Sequence, residues 1–199
     1  MRNNLELLLV FMRKNLELLL VFMGKNLIML PVMFYPYIYM ICVVTFYYIN
    51  DVASELYEEA SLGMFIFAII CNLYVLIVVI VNLIRAIKGK WNAIELVKLN
   101  MIIKLVHVPA FVFHFLLGMA GLVASVWGIG FIMWAVLIDL LTIGLTGMIG
   151  LSASVSCRKE GMLTKPMAFL YAVLSYIYCV DVISALAFYV ELRKGNKIA

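Results

Sequence analysis

Four long stretches of this chain are almost free of charge, and that feature confines it to a helical membrane fold. Asn26 to Asn50 and Ser61 to Ile84 contain no Asp, Glu, Lys or Arg. Leu105 to Cys157 contains only Asp139 besides two histidines, and Met167 to Val190 contains only Asp181. At 1.5 Å per residue, about 20 apolar residues in a helix cross roughly 30 Å of hydrocarbon. The longest stretch therefore holds two crossings and each of the others one. A water-soluble globule is excluded, because 67% of the residues are hydrophobic and 13% charged, against roughly 45–50% and about 25% in soluble domains.

These runs predict an all-α integral membrane fold with five transmembrane helices, at about 27–48, 63–85, 109–127, 131–154 and 167–190. Pro31 and Pro36 should kink the first, since each removes a backbone donor. Asn92 followed by Glu95 has the spacing of a capping box, so a helix should start there. Residues 92–107 read as a short interfacial helix, after which Pro109 re-aims the chain into the membrane. The third and fourth spans should form a tight hairpin turning at Gly128-Ile129-Gly130.

Basic residues orient the whole, because loops on the cytoplasmic side carry the excess of Lys and Arg. With the N-terminus in the cytoplasm, that side receives Arg2, Arg13, Lys14, Lys25, Arg85, Lys88, Lys90, Lys98, Lys104, Arg158, Lys159 and Lys165, twelve of the fifteen. The segment carrying Asp51, Glu55, Glu58 and Glu59 without a basic residue is then an outer aqueous loop. Five crossings also put Arg193, Lys194 and Lys197 outside, against the rule. A re-entrant last segment would restore agreement, although its length is ample for a crossing. The expected location is the cell (cytoplasmic) membrane.

The N-terminus repeats itself: Met1-RNNLELLLVF, Met12-RKNLELLLVF, then Met23-GKNLIMLPV. A period of eleven gives 3.67 residues per helical turn and holds Leu5, Leu9, Met12, Leu16, Leu20 and Met23 near one face. Residues 1–22 are thus a duplicated amphipathic extension, either lying on the membrane surface or merely tolerated, ahead of a single transmembrane domain at 23–199. The glutamates and the lack of a small-residue cleavage site argue against a signal peptide.

Small residues recur in the third and fourth spans: Gly118, Gly121 and Ser125 in one, Gly144, Gly147, Gly150 and Ser154 in the other. Gly121-xxx-Ser125 and Gly150-xxx-Ser154 are spacings that let helix backbones approach closely in lipid.

Asp139 and Asp181 demand an explanation, because an unpaired charge at the membrane centre costs at least ~2.5 kcal/mol. In a five-span topology the two lie at a similar depth. They could then share a proton or hold a cation, or each could be protonated or bonded to Thr142, Ser175 or Tyr178 as glue between helices. His114 is a further candidate for a proton route, or an ordinary hydrogen-bonded helix contact. His107 reads as a boundary residue, and Asn72 and Asn82 as interhelical donors or cavity-lining groups.

Cys42, Cys71, Cys157 and Cys179 have no metal-ligand or C-x-x-C spacing and read as small apolar residues. No metal or cofactor is implied. Glu58, Glu59, His107 and His114 only partly match a membrane-embedded protease, because the expected arginine is missing and the glutamates lie on the opposite side from His107. No nucleotide-binding or nucleophile-elbow motif occurs, and the scattered basic residues form no nucleic-acid footprint.

The stretch KLNMIIKLVHVPAFVFHF, with VWGIGF and LIDLLTIGLTGMIGLSA after it, resembles an uncharacterised family of small bacterial multi-pass membrane proteins of unknown function, over roughly residues 96–155. That resemblance implies a bacterial cytoplasmic membrane and no activity. The expected function is a non-enzymatic membrane component or interaction protein, with a homo-oligomer or a membrane protein as partner besides the bilayer. The alternative is a small proton- or cation-coupled transporter or permeability protein using Asp139 and Asp181.

Overall fold

A computed structural model describes residues 27–52, 57–123 and 125–195, and among these every regular element is helical. The expected amphipathic extension at 1–22 lies outside them. The chain divides into two units, Met1–Pro31 and Val32–Ala199. The first contributes a 3-10 turn at Leu27–Met29. A helical turn over Leu30–Met33 is followed by α1, Tyr35–Val52, then α2, Tyr57–Ile87, and α3, Ala93–Val123. The chain continues with α4, Ser125–Lys159, α5, Lys165–Leu174, and α6, Val180–Gly195.

Three stretches are long and apolar enough to cross a membrane: Leu62–Ile87, Ala93–Val123 and Gly128–Lys159. The expected span at 27–48 is instead divided at Phe34. Pro36 falls in the first turn of α1, where its missing N–H would have no intrahelical acceptor in any case. Asn92 caps α3 as expected, its side-chain oxygen accepting the Glu95 N–H at 3.2 Å.

The break expected at Pro109 does not occur, and α3 runs through it to Val123. A helix that continues past a proline leaves fewer backbone groups without partners than one that ends there, which matters most in a stretch apolar enough to cross a membrane. Residues 92–107 are accordingly part of the long helix rather than a separate interfacial one. The turn expected at Gly128-Ile129-Gly130 also moves, because both glycines belong to the start of α4. Gly128 serves close approach instead: a Cβ on Gly121 would lie 2.8 Å from the Gly128 carbonyl oxygen.

The largest departure concerns residues 167–190, expected as one crossing. They form two helices separated by Ser175–Cys179. The ten residues of α5 span about 15 Å and the sixteen of α6 about 24 Å. The segment folds back on itself: the Tyr171 and Phe188 rings stack at 4.3 Å with planes 9° apart, and the Tyr171 hydroxyl donates to the Glu191 carboxylate. In one continuous helix those two rings would be about 25 Å apart. The last turns of α6 return to the beginning of α3, where Leu192 and Arg193 share a hollow with Ile94 and Val97.

Two glycines of α4 make room for this reversal. A Cβ on Gly147 would lie 2.5 Å from the Tyr176 ring, and one on Gly150 would lie 2.6 Å from Ser175 Cβ. These positions therefore receive the α5–α6 turn, whereas sequence spacing assigned them to the contact between α3 and α4. Gly118 and Gly144 face open space. The Ser154 hydroxyl donates to the Gly150 carbonyl at 3.0 Å within its own helix, and the Ser125 side chain lies outside the described set. Cys179 ends the turn at a φ of 62°, a left-handed conformation that costs an L-residue roughly 1–2 kcal/mol.

At the end where α6 returns, the end of α4 is tied to the junction between α2 and α3. Glu160 accepts the Ala93 N–H at 2.9 Å, the Lys159 ammonium donates to the Ile87 carbonyl, and Arg85 lies 4.9 Å over the Trp91 ring.

Gly150→Val should force Ser175 away from α4 and destabilise the protein by about 1–3 kcal/mol, the usual cost of overpacking. Gly144→Ala should leave stability unchanged or raised. Thermal unfolding of the detergent-solubilised protein, followed by circular dichroism, measures both.

Candidate functional site

The inner face of α3 is polar where its surroundings are apolar. Asn100, Lys104, His107 and His114 recur at spacings of four, three and seven, so they lie along one side of the helix, and all four are buried. Asp139, Thr142 and Thr146, also buried, follow a similar helical spacing on α4. From Asn100 to His114 this seam extends about 21 Å along the helix axis.

Lys104 is its centre. The side chain is wholly buried, and its ammonium group uses three donors: to Asp181 Oδ2 at 2.6 Å, to Thr146 Oγ1 at 2.9 Å and to the Ser175 carbonyl at 3.3 Å. Asp181, also fully buried, stands in the first turn of α6, where unsatisfied backbone N–H groups favour a negative charge. Thr146 passes its own hydrogen to the Thr142 carbonyl at 2.7 Å, and Thr142 does the same to Ile138 at 2.7 Å. The reversal at Ser175–Cys179 is what brings a carboxylate from α6 to this lysine.

Asp139 has a different partner. Its Oδ1 lies 2.6 Å from His114 Nδ1, with the Trp134 ring edge-on to the imidazole at 5.1 Å. The partners of the two aspartates are ten residues apart on α3, or about 15 Å. Each aspartate thus has its own base at its own level, where a similar depth was the expectation and a shared proton one of the readings it allowed. His107, expected at the boundary, is buried, with Nε2 3.1 Å from the Val32 carbonyl. Because a carbonyl only accepts, that nitrogen carries the hydrogen.

Several polar atoms of the seam have no hydrogen-bond partner among the described residues: both side-chain atoms of Asn100, His107 Nδ1, His114 Nε2 and Asp181 Oδ1. Asn82 on α2 is buried in the same condition. Asn72 does join helices, accepting from the Tyr35 hydroxyl at 2.5 Å and donating to Tyr39. The four cysteines are free. Among the described residues no three His, Cys, Asp or Glu side chains converge as they would around a metal ion.

Sequence reasoning missed Lys104, which it placed with the cytoplasmic charges. The signal was available in the spacing that sets Lys104 on the face of Asn100, His107 and His114 while exposed Glu95 points elsewhere.

Lys104→Met alone should destabilise the protein by about 3–5 kcal/mol, because it leaves a buried carboxylate without its counter-charge. Lys104→Met combined with Asp181→Leu should recover most of that loss, since apolar groups can replace a buried pair at little cost. Thermal unfolding of the two variants in detergent compares them directly.

Neither a curated protein nor a solved structure matches the chain. A family profile does, over residues 25–195, and it covers the long apolar helices, both acid–base pairs and the α5–α6 reversal. The chain belongs to that family, described as "Family of unknown function (DUF6652)".

Proposed function

We propose that this chain is a non-enzymatic, multi-pass protein of the cell membrane that passes protons along the seam between α3 and α4, working in an oligomer or with a membrane partner. The observation that carries this reading is the seam itself. It holds two buried acid–base pairs at different levels, with unpartnered polar atoms at His107, His114 and Asp181. Intramembrane ionisable groups that face a helical interior commonly mark proton or ion routes. Buried polar atoms left over by the protein are the usual hosts of bound water, and water can link His107 to the pairs on either side. Cation coordination between the two aspartates is disfavoured, since each carboxyl already has a nitrogen partner at 2.6 Å, on Lys104 or on His114.

The topology that accompanies this reading has α3 and α4 crossing as a tight hairpin, α2 crossing before them, and α5–α6 entering and leaving on one side. That side carries the basic ends of α2, α4 and α6, so the positive-inside rule makes it cytoplasmic. The five-crossing arrangement would put Arg193 on the far side from Lys159.

A second reading, an interaction protein in which the pairs only hold helices together, is favoured by the full use of the Lys104 donors. Proton flux separates the two. Proteoliposomes under an imposed potential, with an internal pH dye, should acidify faster than empty vesicles. His114→Phe should lower that rate at least tenfold while the protein still elutes as a folded species. Wild-type flux equal to that of empty vesicles sinks the transport reading. A reporter fused after Ala199 should be active in the cytoplasm, and activity only on the outer side would reinstate five crossings.

A further inference from the structure

The start of α1 lies against α3 where proline interrupts the backbone bonding of both, and each helix offers a donor at the other's interruption. Pro36 withdraws the N–H that would reach the Val32 carbonyl if the helical turn at Leu30–Met33 ran on into α1. His107 Nε2 of α3 donates to that carbonyl instead, at 3.1 Å. In the other direction, Pro109 withdraws the donor due to the Leu105 carbonyl, and its ring presses on that carbonyl. The Tyr37 hydroxyl of α1 donates to the next carbonyl, that of Val106, at 2.7 Å. Proline breaks of this kind are where helices bend, so two bending points face each other across a pair of reciprocal hydrogen bonds. Val32, Met33, Tyr35 and His107 are all buried. α1 is attached to α2 separately, by the Tyr35 and Tyr39 hydroxyls on Asn72, so it stays held at α2 when the two bonds to α3 part.

We infer that residues 32–37 are a latch on the seam: by holding the His107 Nε2–H on the Val32 carbonyl they close the proton route at His107, and the route opens when this segment lifts from α3. The inference rests on the proton route proposed above and names what regulates it. A neutral imidazole relays a proton by taking one on its bare nitrogen and releasing the hydrogen of the other. Nδ1 of His107 is the bare nitrogen and has no partner among the described residues. The hydrogen to be released faces a backbone carbonyl, which accepts a hydrogen bond but is too weak a base to take the proton. Turning the ring over would leave the Val32 carbonyl and the Nε2–H both unpaired in a buried place, a costly arrangement. His107 is therefore a dead end while the latch is seated, and becomes a relay once Nε2 is released to water or to a neighbouring acid–base pair. Losing one ordinary hydrogen bond shifts an equilibrium about two- to tenfold, so the latch slows the wild type without silencing it.

Two substitutions outside the seam release the latch. Tyr37→Phe removes one of the two bonds, and Pro36→Ala provides an N–H that lets the Leu30–Met33 turn continue into α1, directing the Val32 carbonyl along its own helix. In full-length protein reconstituted into proteoliposomes, Tyr37→Phe should raise proton flux about two- to tenfold, and Pro36→Ala should raise it at least as much. Adding His107→Phe to Pro36→Ala should remove the whole gain, which a leak through a loosened bundle would not. Imidazole nitrogen spectra of histidine-labelled protein in detergent read the latch without any flux, and the two histidines make them simple to assign. His107 should be a single tautomer with its hydrogen on Nε2 in the wild type and a mixture in both variants, while His114 stays unchanged. A wild type that conducts, with variants that conduct equally or less, overturns the latch and spares the route. Flux absent from every variant overturns both. A gain that survives His107→Phe, or a mixed tautomer at His107 in the wild type, also overturns the latch.

Discussion

The bond between the Lys104 ammonium and the Asp181 carboxylate is the interaction on which the rest of this structure turns. Neither charge can be left alone where these residues sit, since both are fully buried and a buried charge without its partner costs several kcal/mol. Lys104 belongs to a helix of 31 residues that is long and apolar enough to cross a membrane, so the carboxylate must come to it. That requirement is met by a chain reversal. α5 ends at Leu174, the Ser175 carbonyl takes one lysine hydrogen, and α6 begins so that Asp181 lies in its first turn. The pair therefore stabilises a particular path for residues 165–195 more than it adds to the overall energy.

What could be read from sequence follows from the same physics. The charge-free runs identified α2, and most of α3 and α4, because length and composition decide whether a helix survives in hydrocarbon. The cap at Asn92 was readable because it is a local bond between residues three apart. The reversal at Ser175–Cys179 was not readable from local signals, for that turn contains neither glycine nor proline. The space for it lies on another helix, at Gly147 and Gly150, and the reward for making it is a lysine 77 residues upstream. A run of 24 mostly apolar residues satisfies a length criterion equally well whether straight or folded. The error over Lys104 had a related origin. Counting Lys104 among the cytoplasmic charges concealed that Asn100 and Lys104 continue along one helix side to His107 and His114.

In the proposed topology the reversal also removes the conflict between charge and topology noted in the sequence. Arg193 lies beside Ile94 and Val97 at the start of α3, the end at which Lys159 reaches Ile87 and Glu160 reaches Ala93. Basic residues that looked split between two sides of a membrane gather at one end of the bundle once the last segment is folded back. The positive-inside rule, applied to the proposed topology, is thus compatible with the geometry that the acid–base pairing needs.

Separating the aspartates changes the chemistry available to each. Two carboxyls at one depth repel when both are ionised, so one must stay protonated or a cation must join them. Here each carboxyl has a base at 2.6 Å, and a proton can move within either pair without changing its net charge. In a medium where net charge is the expensive quantity, such a transfer is far cheaper than creating an isolated ion. The cost of any longer movement is then concentrated between the pairs, where His107 offers an unpartnered ring nitrogen. In the proposed proton route, His107 would be the step on which passage between the two levels depends.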